Sequence, residues 1–282
     1  MYQETKPTDN YQPLTIINPA DKKNFSLGLF WEERKTQLPG NGKLIGCMSP
    51  FISLYRSCET PISKERLELI VPIALEFEKE FGSGILVADS LAYGMSIPKS
   101  DLDLVVLNSA DLRKTEIKAS HKFLLEMLTD SFPEVKIQVD GDYPPSHNPE
   151  EIESTICFLE NNPQFSKQQE SELFQEWFTG KENALSEFIP DVLLDGGLYF
   201  GPDIQPLMNR IETTTLTCPF LSEEIKTSQQ YMVRYYFRFL QNRYLNRLKQ
   251  SVTYQKLLPD KQQELLKNIT TMEGHLRLFP GD

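Results

Sequence analysis

GILVADSLAYGMSIPKSDLDLVVL, residues 84–107, begins and ends with apolar runs that predict two β-strands. The segment between them is polar and contains turn-forming residues. Because successive side chains of a strand point to opposite faces, Asp101 and Asp103 lie on one face with their carboxylates adjacent. Leu102 and Leu104 then face the other side, where a layer of helices can bury them. The stretch therefore predicts a sheet backed by helices, with two aspartates at the mouth of one strand.

Adjacent carboxylates such as Asp101 and Asp103 repel each other, and a hard divalent cation offsets that repulsion. Mg²⁺ takes oxygen ligands, needs few carboxylates and keeps coordination positions open for phosphate oxygens. The pair thus predicts a magnesium site suited to a phosphate-containing substrate.

The order and spacing of five residues resemble the signature of the DNA polymerase β-like nucleotidyltransferase superfamily: Ser90, Gly94, Ser100, Asp101 and Asp103. The resemblance covers roughly residues 84–142. It implies that the loop after the first strand holds a nucleoside triphosphate and that the two aspartates bind Mg²⁺. Nucleotide contacts are then expected from Ser90, Gly94 and Ser100, and from Lys99, which lies in the same loop.

Asp89 departs from this family, which has glycine immediately before the serine. At an effective dielectric constant near 20, two charges ~5 Å apart repel by roughly 3 kcal/mol before salt screening. Because aspartates at turns readily accept hydrogen bonds from nearby backbone amides, we expect the Asp89 side chain to turn away from the phosphates. The alternatives are that Asp89 recruits a further cation or that the site is degraded.

A third carboxylate is implied by the resemblance, on a strand after the aspartate pair. The sequence predicts a helix over 61–81 before the first strand, a helix over 110–131 after the second, and a strand over 135–139. Asp140 follows this last strand on the face where a metal ligand is needed. It would bind the metal and take the proton of the acceptor hydroxyl. Asp142 lies on the same face and is the alternative metal ligand. A second alternative is that Asp140-Gly141-Asp142 is simply a turn with no role in metal binding.

Three regions divide the chain. Residues 1–24 are expected to be loosely ordered, and residues 25–145 form a predicted α/β (α+β) domain, a nucleotidyltransferase-like mixed sheet with helices. A proline-rich linker begins near residue 144, and residues 146–282 form a predicted α-helical C-terminal domain. Its helices are expected at 150–159, 167–180, 183–188, 222–251 and 260–278, whereas 191–200 is ambiguous between helix and strand.

Composition limits the partners and the compartment. The net charge of −11 over 282 residues argues against a general polyanion-binding surface. Four widely spaced cysteines are typical of reduced thiols in a cytoplasmic protein. We found no apolar run of the length that crosses a membrane and no secretory signal pattern, so we expect no membrane association. Three isolated histidines predict no zinc site.

The predicted helix over 222–251 interleaves basic and aromatic residues. Tyr231, Arg234 and Arg238 lie on one helical face, where guanidinium groups can bind phosphates and a ring can stack on a base. The alternative is a solvated face with arginines extended into water and tyrosines buried in the core.

Together these features predict an enzyme that transfers a nucleoside monophosphate from an NTP, ATP or another, to an acceptor and releases pyrophosphate. The acceptor is a protein, an RNA or a small molecule. One alternative is a catalytically inactive nucleotide-binding or regulatory protein that retains the fold, and Asp89 favours it. Another is an interaction protein in which Asp101 and Asp103 merely begin a strand.

We predict that the paired changes Arg234→Ala and Arg238→Ala weaken substrate binding more than they lower the melting temperature. Both arginines would contact the nucleotide rather than the core. Titration with Mg²⁺-NTP and thermal unfolding measure the two effects. A loss of stability with unchanged binding would favour the solvated-face alternative.

Overall fold

The computed structural model describes residues 42–46, 48–109, 111–138, 146–147, 154, 157, 161, 192, 195–204, 206–208, 210 and 243–277. Several predicted features lie outside these residues: segment 1–24, the helices at 167–180 and 183–188, nearly all of the helix at 150–159, and residues 222–242 of the helix at 222–251. The predicted site residues Asp140, Asp142, Tyr231, Arg234 and Arg238 also lie outside them.

A mixed sheet lies at the centre of the described structure. Its strands are β1 (Lys43–Ile45), β2 (Gly84–Val87), β3 (Leu102–Leu107), β4 (Ile137–Gln138), β5 (Ser146–His147) and β6 (Gly197–Phe200). The order β1-β6-β2-β3 is antiparallel throughout, and the short strands β4 and β5 both pair with β3 in parallel. The chain is therefore a mixed α/β protein, as the sequence predicted at that level.

The two strands of the stretch 84–107 form as expected. They pair antiparallel, with Val87 opposite Leu104. Leu102 and Leu104 are buried, whereas Asp101 and Asp103 remain partly exposed, so the predicted alternation of faces is confirmed. All four residues of β2 are buried, which explains why that strand is a continuous apolar run.

Seven helices have bounds in the described part of the chain: α1 (Ser49–Arg56), α2 (Pro61–Phe81), α3 (Asp89–Ala92), α4 (Lys114–Ser131), α5 (Leu245–Gln250), α6 (Val252–Gln255) and α7 (Pro259–Arg277). None of them is long and apolar enough to cross a membrane. The predicted helix over 61–81 is confirmed, with Thr60 Oγ1 accepting the Ser63 amide at 3.2 Å and Gly82 ending it at φ 59°. The final helix begins and ends within one residue of its prediction.

Two helices differ from expectation. α4 begins at Lys114 rather than near residue 110, because the Glu116 carboxylate accepts the Arg113 amide and sets the helix start there. α1 was not predicted, since its eight residues give too short a periodic pattern to separate it from a loop.

β6 extends the sheet beyond the domain boundary predicted at residue 145. It lies between β1 and β2, and it resolves the ambiguous segment 191–200 as a strand near its carboxyl end. The core is likewise shared, because Tyr244, Leu248 and Ile269 belong to the same buried cluster as Leu102 of β3. The described C-terminal residues thus form one core with the first part of the chain.

We predict that Gly197→Ala destabilises the fold by more than about 3 kcal/mol, because a Cβ at this position would lie 2.1 Å from the Val87 carbonyl oxygen. Urea unfolding measures the change. Gly82→Ala is the control: a Cβ there would make only an ordinary van der Waals contact with Ser109 at 3.8 Å, and its cost is the strain of φ 59°, roughly 1–2 kcal/mol. Equal costs for the two variants would contradict the close approach of β6 to β2.

Candidate functional site

The two aspartates lie beside the turn that leaves β2. The Ala88 amide donates to the Asp103 carbonyl oxygen at 2.9 Å, and α3 begins at the next residue. The amides in the first turn of a helix have no acceptor within the helix. The start of β3 and the start of α3 therefore form one concentrated polar region at this end of the sheet.

Asp101 has two basic neighbours. Its carboxylate lies 3.6 Å from Lys136 Nζ, with side-chain exposures of 37% and 68% respectively. The Arg66 guanidinium also interacts with it electrostatically. Exposed ion pairs contribute at most about 1 kcal/mol, so the contact with Lys136 is easily exchanged for another cation.

The strand beside the aspartate pair does not place a carboxylate opposite it among the described residues. Asp103 is in register with Gln138, and the Leu102 amide donates to the Lys136 carbonyl at 2.9 Å. Asp140, the predicted third ligand, lies two residues further along and outside the described residues. Within the described part of the chain, no group of three or more His, Cys, Asp or Glu side chains is arranged to hold a metal ion.

The predicted nucleotide-binding hydroxyls are engaged inside the protein. Ser90 is 2% exposed, and its hydroxyl lies 3.3 Å from that of Ser96. The Ser100 hydroxyl, also buried, accepts the Ile97 amide at 3.0 Å. Lys99, by contrast, is exposed at the surface of the loop. The loop thus presents Lys99 to solvent and uses its serines to hold its own shape.

Gly94 has a structural reason to be glycine. Its φ is 70°, and a Cβ there would lie 2.8 Å from Glu59 Cβ. The close approach allows the Thr60 amide to donate to the Gly94 carbonyl oxygen at 2.8 Å. Gly94 therefore fixes the loop against the start of α2.

Three arginines from three different helices donate to carbonyl oxygens of this loop, and the site assignment from sequence included none of them. Arg56 of α1 donates to the carbonyls of Leu91 and Ala92 at 2.9 and 3.2 Å. Arg66 of α2 donates to those of Ser100 and Pro98 at 2.7 and 3.2 Å. Arg247 of α5 donates to that of Met95 at 2.9 Å. Bonds from charged donors are stronger than bonds between neutral groups, so these contacts define the loop.

Arg66 is the most buried of the three, at 6% exposure. Burial lowers the pKa of its guanidinium, and the Asp101 carboxylate opposes that shift. A signal for it exists in the sequence: Arg66 lies within the apolar face of α2, between Ser63 and Ile70 at helical spacing. A lone charge within an apolar face indicates a buried polar contact.

Asp89 adopts φ 46°, the left-handed region in which glycine is favoured and aspartate is tolerated. Its carboxylate accepts a hydrogen bond from the Tyr244 hydroxyl, 155 residues away in sequence. The expected partner was a nearby backbone amide, and the observed one is a side chain from the C-terminal part of the chain. Burial and the Asp89 carboxylate together raise the pKa of Tyr244, which keeps its hydroxyl protonated as the donor.

Comparisons with family models, with curated proteins and with solved structures find no match to this chain. The nucleotidyltransferase resemblance therefore depends on the sequence pattern alone.

We predict that Arg66→Met lowers the free energy of unfolding by about 2 to 4 kcal/mol, because the buried Ser100 carbonyl and the partly buried Pro98 carbonyl lose a charged donor. Urea unfolding measures the loss. Lys64→Met is the control, since Lys64 is exposed on the same helix. A loss no larger than that of the control would show that Arg66 does not hold the loop.

Proposed function

We propose that this protein is a Mg²⁺-dependent nucleotidyltransferase that moves a nucleoside monophosphate from an NTP to an acceptor and releases pyrophosphate. One observation carries the proposal. The aspartate pair that begins β3 is joined by a backbone hydrogen bond of 2.9 Å to the turn after β2, from which the serine-containing loop starts. A nucleotide's phosphates and its metal would meet at this junction.

Asp101 and Asp103 have the chemistry that Mg²⁺ requires. Both residues carry partly exposed carboxylates on one face of a strand. The oxygens of an ionised carboxylate accept hydrogen bonds or coordinate a hard cation such as Mg²⁺. They would hold the Mg²⁺ ion. When bound, the ion would neutralise charge on the triphosphate and align the attacking oxygen. Asp140 remains the proposed third ligand, with Asp142 as the alternative.

Backbone groups would make the phosphate contacts. The hydroxyls of Ser90 and Ser100 already have partners within the loop, so we assign the phosphates to backbone amides of the loop and to the exposed Lys99. Gly94 keeps the loop close to α2, and Arg234 and Arg238 would contact the nucleotide from the C-terminal part of the chain.

A second candidate function is nucleotide binding without transfer. Lys136 Nζ lies 3.6 Å from the Asp101 carboxylate, and the residue in register with Asp103 is Gln138 rather than an acidic residue, so a cation lies next to the pair where an active site would gather carboxylates. An NTP-dependent rise in melting temperature that needs Mg²⁺ would establish binding, and pyrophosphate release would then distinguish the enzyme from the binder.

We predict that Asp103→Asn abolishes transfer and leaves the fold intact, because it removes a metal ligand without changing side-chain volume. In metal-free buffer its stability should equal or exceed that of the wild type, since two neighbouring carboxylates repel. Pyrophosphate release with labelled NTPs and a cell lysate, and thermal unfolding, measure the two effects.

Asp130→Asn provides the matched control for this change, because Asp130 is exposed on α4 and far along the chain from the loop. It should transfer nucleotide at the wild-type rate. Transfer by Asp103→Asn at that same rate would overturn the metal assignment.

A further inference from the structure

Two side chains of one short C-terminal segment contact the 89–100 loop. The Tyr244 hydroxyl, immediately before α5, donates to the Asp89 carboxylate. One turn later, Arg247 Nη1 donates to the Met95 carbonyl at 2.9 Å and lies 3.5 Å from the Ser100 hydroxyl. The loop is thus held at its beginning, its middle and its end by residues about 150 positions further along the chain.

Tyr244 is fixed rigidly in this position. It has no exposed surface, and its ring packs on Tyr93, with centroids 5.0 Å apart, and on Tyr55, at 6.3 Å. Because Tyr93 directly follows α3, the same ring that carries the hydroxyl also supports the far end of that helix. Movement of Tyr244 would therefore disturb both ends of α3.

The charges in this contact are matched. Asp89 interacts electrostatically with Arg247, whose guanidinium lies over the Tyr244 ring at 5.8 Å from its centroid. Burial and the neighbouring Arg243 lower the pKa of Arg247, and Tyr244 and the Asp89 carboxylate oppose that lowering. The negative charge of Asp89 is thus directed to a tyrosine hydroxyl and an arginine on the C-terminal side.

We propose that Tyr244 and Arg247 are positioning residues that set the conformation of the 89–100 loop, acting through the Asp89 carboxylate and the Met95 carbonyl. The description of this loop as nucleotide-binding rests on the proposed function. Asp89 and Tyr244 act as a pair: the aspartate that replaces the family's glycine is the attachment point for α5. The C-terminal part of the chain thereby controls the geometry next to Asp101 and Asp103.

Hydrogen exchange on the full chain tests the positioning directly. The amides of Met95, Ser96 and Ile97 are bonded within the loop or to Ser63, so their exchange rates report its conformation. We expect Tyr244→Phe and Arg247→Met each to raise these rates tenfold or more relative to the β2–β3 amides. A factor of that size corresponds to the loss of one hydrogen bond between a charged and a neutral group.

Tyr199→Phe is the matched control. Its hydroxyl donates to the Pro202 carbonyl at 2.9 Å, and the residue is equally buried, but it lies at the end of the sheet away from the loop. This variant should leave the loop-to-sheet ratio of exchange rates unchanged. A loop that exchanges at the wild-type ratio in Tyr244→Phe and Arg247→Met would overturn the proposal, as would the same rise in Tyr199→Phe.

A double-mutant cycle tests the pairing of Asp89 with Tyr244. Glycine at position 89 removes the carboxylate and accommodates φ 46°. In the Asp89→Gly background, Tyr244→Phe should raise loop exchange no further. An equal effect of Tyr244→Phe in both backgrounds would show that the hydroxyl acts independently of Asp89 and would overturn the pairing.

Titration of the same proteins with Mg²⁺-ATP and Mg²⁺-GTP separates this proposal from the proposed function. Weaker nucleotide binding in Tyr244→Phe than in Tyr199→Phe supports the positioning role. If the wild type binds neither nucleotide and the exchange results hold, the proposed function fails and the positioning of the loop stands. If the wild type binds nucleotide and loop exchange is unaffected, the positioning proposal fails alone.

Discussion

The structure of the site depends on arginine side chains that satisfy the carbonyl oxygens of the 89–100 loop. Arg56, Arg66 and Arg247 come from three helices and together make five hydrogen bonds of 2.7 to 3.2 Å to that backbone. A buried loop must pair its backbone polar groups, and ordering its residues costs roughly 1–2 kcal/mol each. Charged donors offset that cost, and they fix the loop in one conformation beside the aspartate pair.

These arginines also connect parts of the chain that are distant in sequence. α1 and α2 hold the loop from the N-terminal side, and α5 holds it from the C-terminal side. β6 likewise connects distant parts of the chain within the sheet, because it lies between β1 and β2, which come much earlier in the sequence. The loop, the sheet and the last helices therefore share one core, and a change in the C-terminal part of the chain can reach the site through packed side chains.

The immediate surroundings of Asp101 and Asp103 favour two functions to different degrees. The junction of the serine-containing loop with the aspartate strand favours the proposed binding of a metal-bound triphosphate. The Lys136 ammonium group, which lies 3.6 Å from the Asp101 carboxylate, would moderate or replace metal binding. Asp89 no longer distinguishes the two functions by its charge alone, because that charge is directed to Tyr244 and Arg247.

The sequence by itself determined the local elements. Periodicity and capping residues predicted α2 and α7 closely, and alternation predicted β2, β3 and the shared face of Asp101 and Asp103, because these features depend on neighbours a few residues away. Tertiary structure alone decided the place of β6, the burial of the Ser90 hydroxyl and the partner of Asp89. Each of these depends on contacts between residues 6 to 156 positions apart, and such contacts leave no periodic pattern in the chain. The buried Arg66 lies between the two cases: its place in an apolar helix face is visible in the sequence, but only the fold supplies the carbonyl oxygens that bind it.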